Sequence, residues 1–124
     1  MEANNKIFTS IEQSKKLAEI LPAESADMCY IQDLLGGGKY GEYKPYIGDK
    51  IPSYGQGKIR CWSLSALLEL LDYPQLSKDK LGGGKEGWMV SVYPDNCRYD
   101  SCWHDNPVDA CYELILKLHE RKML

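Results

Sequence analysis

The chain has 124 residues, 44% of them apolar and 27% charged, with a formal net charge of −3 and no basic block. A single domain of this size buries about two thirds of its unfolded surface, enough for a core without disulfide staples. The charge balance argues against an extended DNA or RNA footprint. No apolar run reaches the roughly 18 residues of a membrane span, and the N-terminus has no signal-peptide core, so a cytoplasmic protein with no membrane partner is expected. Cys29, Cys61, Cys97, Cys102 and Cys111 are an odd number without an export signal, and read as reduced thiols, mostly small core residues.

In chain order, Thr9-Ser10-Ile11-Glu12 has the form of a capping box with Thr9 as N-cap. Ile11, Leu17, Ala18, Ile20 and Leu21 follow at near-helical spacing until Pro22 stops the helix. Met28 to Leu34 reads as a strand. Tyr40 to Ile47 reads as a second, with Pro45 suited to an edge. Residues 48–60, with three glycines and a proline, read as a long loop. Ser63 is placed to cap a second helix carrying the stripe Leu64, Leu67, Leu68 and Leu71. Residues 77–87 are polar and glycine-rich, another loop.

A hairpin comes next. Trp88, Val90 and Val92 share one face of its first strand, and Pro94-Asp95-Asn96 is turn chemistry. On the second strand Cys97, Tyr99, Ser101 and Trp103 would share one face, with Arg98, Asp100, Cys102 and His104 on the other. Asn106 then caps a helix with Pro107 at its first position and Asp109 in its first turn. Cys111, Leu114, Ile115 and Leu118 form that helix's apolar stripe. The expected fold is α+β: a single compact α/β sandwich over residues 1–124, order α-β-β-α-β-β-α. About four strands, antiparallel or mixed, would pack with about three helices.

The pattern Gly87-Trp88-Met89-Val90-Ser91-Val92 through Trp103-His104-Asp105-Asn106-Pro107-Val108-Asp109-Ala110-Cys111 looks like small proteins of bacteriophages and prophages, especially from Bacteroides-type gut bacteria. The layout resembles the phage α-β-α sandwich domain, a short hairpin leading into a C-terminal helix opened by Asn-Pro. The closer resemblance includes Ile7 to Leu21 and Cys61 to Leu71, and fits least well over residues 34–59. It implies a phage or mobile-element origin, and by analogy an action on host components such as defence systems. Its motifs are structural, so no functional residue is carried over.

Leu-Gly-Gly-Gly-Lys occurs twice, at Leu35 to Lys39 and Leu81 to Lys85. Glycine runs expose backbone N–H groups, and a lysine beside them can meet a phosphate. The plainer reading is two flexible turns, and neither copy fits a nucleotide-triphosphate loop. If the loops flank one pocket, Lys39, Lys85, Lys58, Arg60 and Arg98 would grip an anion. Tyrosine, nine residues against one phenylalanine, clusters at Tyr40, Tyr43, Tyr46 and Tyr54. With Trp88 and Trp103 these rings can stack a nucleobase, or simply pack a sheet. Cys97, Cys102 and His104 lack zinc-site spacing. Cys102 and His104, near Asp100, share a face but stand about 6–7 Å apart at the backbone, long for a nucleophile and its base. No catalytic residue, metal or cofactor is assigned.

The preferred reading is a non-enzymatic, phage-encoded binding protein. It would antagonise host defence by sequestering a small anionic, nucleotide-like signal. The candidate contacts are Lys39, Tyr40, Tyr43, Tyr54, Arg60, Lys85, Trp88, Arg98, Trp103 and His104, with a homodimer or higher homo-oligomer completing the enclosure. The alternatives are an inhibitor or adaptor of a host protein, and a small hydrolase using His104.

Overall fold

The computed structural model describes residues 6–36, 39–47, 56–80 and 86–124. Among the described residues the architecture is α+β, with three α-helices and two three-stranded antiparallel sheets. The order is therefore α-β-β-β-α-β-β-β-α, and the expectation of about four strands is corrected to six. The chain divides into two compact units: Ser10–Ser63, and Leu64–Leu124 with the segment up to Thr9.

The first unit opens on α1 (Ile11–Ile20). Ser10 caps it, one residue later than expected: its hydroxyl accepts the Gln13 N–H at 3.2 Å, while the Gln13 side chain accepts the Ser10 N–H at 3.1 Å. The reciprocal pairing is a capping box with Gln13 in place of Glu12. Thr9, fully buried, precedes the cap. Leu17 is the apolar residue that α1 buries completely, and Ala18 is exposed.

Three strands follow: β1 (Met28–Gly36), β2 (Lys39–Ile47) and β3 (Gln56–Cys61). β1 lies in the middle, in the order β2-β1-β3. Cys29, Tyr30 and Ile31 are buried in succession rather than alternately. Pro45 lies on the edge strand β2, as its missing N–H requires. The expected loop over 48–60 is corrected at its end, where Gln56–Cys61 pairs with β1. Asp27 clips the two strands together: Ser63 donates its N–H to Oδ1 at 2.9 Å and its hydroxyl to Oδ2. Burial, with Cys29 and Asp27 nearby, pushes the Cys61 thiol up to about 12.

The second unit contains α2 (Leu64–Leu70), β4 (Gln75–Lys80), β5 (Glu86–Val92), β6 (Tyr99–Asp100) and α3 (Pro107–Glu120). β4 corrects the expected loop over 77–87. It is an edge strand with only Ser77 partly covered, and Lys78, Asp79 and Lys80 are the kind of charge that keeps an edge from pairing further. β5 is central, with Val90, Ser91 and Val92 all buried. Asn96 takes φ 66° in the turn after it, a left-handed conformation that asparagine tolerates.

α3 follows its sequence pattern closely. The Asn106 side chain accepts the Asp109 N–H at 2.8 Å, Pro107 occupies the first turn, and Lys6 reaches the Asp109 carboxylate at 2.8 Å. Cys111, Leu114, Ile115 and Leu118 are buried, as are Val108 and Ala110. All five cysteines are free thiols; Cys29, Cys61 and Cys111 are buried, and Cys97 and Cys102 are exposed.

Candidate functional site

The hairpin's second strand is shorter than its alternation suggests. Tyr99 pairs with Val92 and Asp100 with Ser91. Ser101 then donates its N–H to the Val90 carbonyl, while its hydroxyl accepts the Val90 N–H at 3.0 Å and donates to the Cys102 carbonyl at 2.8 Å. Pairing resumes at Trp88 and His104, through hydrogen bonds of 2.7 and 2.8 Å. Between the two pairings β5 advances three residues and its partner four, so one residue is bulged out. The bulge breaks the expected two-face alternation: Cys102 and Trp103 are both exposed, and Ser101 is buried.

The bulged segment is tied to α3 by Glu113, which no sequence motif singled out. Its carboxylate accepts the Cys102 N–H at 3.0 and 3.2 Å, contacts His104 Nε2 at 2.6 Å, and pairs with Lys117 Nζ at 2.7 Å. Lys117 also donates to the Asp100 carbonyl at 3.2 Å. Partial burial pushes the Glu113 carboxyl up, but the hydrogen bonds from Lys117, His104 and the Cys102 N–H outweigh it and bring the group down to about 2. A carboxylate held ionised by so many donors is a poor proton acceptor and a good anchor. No contact joins the Cys102 thiol to the His104 ring among the described residues, so the pair lacks the geometry of an activated nucleophile.

The other hairpin candidates are likewise engaged within their own unit. Arg98 pairs with Asp100 at 2.7 Å. Lys78 lies over the Trp88 ring, 4.9 Å from its centroid, and pairs with Glu86 at 2.8 Å. The ring face beneath the lysine is therefore taken. Trp103 is 40% exposed.

The remaining candidates belong to the first unit or lie outside the described residues. Lys39 and Tyr40 are in β2, described by backbone alone. Tyr43, half-buried, stands opposite Gln32, and Arg60 stands opposite Cys29. Tyr54 is outside the described residues, as are Gly37, Gly38 and the whole of the second glycine-lysine segment, Leu81 to Lys85.

Register in the β2-β1-β3 sheet brings together a group that the sequence left scattered. Lys44 and Lys58 flank Ile31 from either side, and Tyr46 and Arg60 flank Cys29. Directly paired residues share a face, and so do residues two apart on a strand. Three cations and a phenol thus stand at the corners of one patch, with Ile31 and Cys29, both fully buried, between them. Glu42, exposed, continues the row on β2 beyond Lys44. Lys58 and Arg60 were legible as charge partners, but only as loop residues. Their i, i+2 spacing in Lys58-Ile59-Arg60-Cys61 was the signal that they lie on a strand.

Among the described residues no three His, Cys, Asp or Glu side chains gather as a metal ion would need, and no helix is long and apolar enough to cross a membrane. No protein-family model matches the chain, and neither a curated protein nor a solved structure shows significant similarity to it.

Proposed function

We propose that the chain is a non-enzymatic binding protein that holds a small anionic, nucleotide-like ligand on the cationic face of its β2-β1-β3 sheet. The observation that carries the reading is the cross-strand placement of Lys44, Lys58 and Arg60, with Tyr46 as the fourth corner. Neighbouring strands are about 4.8 Å apart, so Lys44 and Lys58 arise about 10 Å from each other, within reach of one phosphate or a diphosphate. Arg60 adds a planar fork that matches phosphate oxygens, and Tyr46 offers a ring or a hydroxyl to a base or sugar.

The net charge of −3 suits a local anion site better than an extended polyanion groove. In the phage setting that the C-terminal pattern resembles, such a protein would act by sequestration, removing a host signal without turning it over. Calorimetric titration with ADP and with a cyclic dinucleotide tests the reading. The wild-type protein is expected to bind at least one of them, and Lys58→Glu combined with Arg60→Glu to weaken that binding roughly a hundredfold, since each charged hydrogen bond contributes about 1.5–3 kcal/mol. Absence of binding by the wild type, or equal binding by a folded double variant, overturns it.

A further inference from the structure

The second unit has a cleft of about 280 Å³ at the C-terminal ends of α2 and α3. Its lining includes Leu71, Val92 and Leu118, which are 5%, 1% and 4% exposed. Met123 also lines it. That residue is held there by the backbone: its N–H donates to the Leu118 carbonyl at 2.9 Å and the Lys122 N–H donates to His119 at 3.0 Å, with Lys122 at φ 57°. This is a Schellman ending, which sets Met123 against Leu118. The wall of the cleft is therefore built by the helix terminus itself.

Charge at the cleft is one-sided. Glu69 and Asp72 line it, both are exposed, and neither makes an ion pair among the described residues. The carbonyl ends of the two helices add negative potential. Arg121, the first residue past α3, is drawn off to the Tyr99 ring, 5.4 Å from its centroid. Beside Asp72, Tyr73 is 88% exposed and takes φ 47°, a left-handed conformation unfavourable for an aromatic residue. Tyr93, 45% exposed, precedes the lining residue Pro94. Exposed tyrosines around a small apolar pocket are a common interface composition.

We infer that this cleft docks a segment of a partner protein that presents an aliphatic side chain beside a lysine or arginine. The apolar lining takes the aliphatic group, and Glu69 and Asp72 take the cation. The volume falls just short of the roughly 300–1,000 Å³ typical of small-molecule pockets, and suits an anchoring side chain. The cleft belongs to the second unit and is acidic, whereas the proposed anion site belongs to the first and is cationic.

Three acetylated hexapeptides test the inference, one alternating leucine with lysine, one leucine with serine and one leucine with glutamate, each titrated into the isotopically labelled full chain. The leucine–lysine peptide is expected to shift the amide resonances of Leu71, Val92 and Leu118. The other two should bind at least roughly tenfold more weakly. Glu69→Lys with Asp72→Lys should abolish the shifts while leaving the melting temperature in place, both residues being exposed. Equal binding of the serine peptide, shifts that map elsewhere, or no binding by any peptide overturns the inference.

Discussion

Replacing Glu113 by alanine is expected to destabilise the protein by about 2 kcal/mol and to flatten its response to acid. The carboxylate is the common partner of the Cys102 N–H, His104 and Lys117, and it fastens the bulged segment to α3. Its folded-state value, about 2, lies below the ordinary 4.5. A depressed acid stabilises the folded state above its ordinary value and ceases to do so as the pH falls through its folded value. The contribution is therefore intact at neutral pH and lost progressively between about pH 4.5 and pH 2. The drop sets a ceiling of about 3 kcal/mol. Water reaching a side chain that is 23% exposed lowers the expected value to about 2. Urea unfolding at pH 7 and pH 3 measures both effects. Wild type and variant should differ less at pH 3 than at pH 7, and an equal difference at both would show that the carboxylate acts by packing rather than by charge.

The largest single loss of stability is expected from Trp62→Ala, about 3–5 kcal/mol. Trp62 follows β3, is fully buried, and donates its indole N–H to the Ser25 hydroxyl at 2.9 Å. That hydroxyl in turn donates to the Pro22 carbonyl at 2.6 Å, so the ring is tied to the turn that links α1 to β1. Alanine removes both the packing and the hydrogen bond. Trp62→Phe retains most of the apolar area and should lose only about 1–2 kcal/mol. Comparing the two by chemical denaturation separates the contributions. Equal losses would place the stabilisation in the hydrogen bond.

The parts of the fold legible in the sequence are those where burial is one-sided or where a cap has its own signature. α3 was readable from Asn106-Pro107 and the stripe from Cys111 to Leu118, because both are local. β1 was readable as a strand over Met28 to Leu34, although the burial of Cys29, Tyr30 and Ile31 in succession does not follow strand alternation. β4 was read as loop because an exposed edge strand buries almost nothing, leaving no periodic signal in Gln75–Lys80. β3 was hidden by Gly57 and by the loop-like residues before it, and its pairing with β1 is non-local.

The candidate sites divide in the same way. The hairpin residues Trp88, Arg98 and His104 were visible as chemistry. Their partners Lys78, Asp100 and Glu113 come from a neighbouring strand, the same strand and the helix behind, and sequence spacing does not rank such contacts. The bulge at Ser101 arises from one hydroxyl replacing a ladder bond, so strict alternation placed Cys102 and Trp103 on opposite faces when both are exposed. The cationic face needed two registers at once: Lys44 against Ile31 on one side and Lys58 against it on the other.

The central claim is that an anionic ligand sits on that face. It is tested most directly by following the backbone amide resonances of the labelled protein while a cyclic dinucleotide is added. The account predicts saturable shifts centred on Lys44, Tyr46, Lys58 and Arg60, with the hairpin from Trp88 to His104 little affected. Shifts centred on Trp88, Arg98 and His104, with the sheet unmoved, would contradict it.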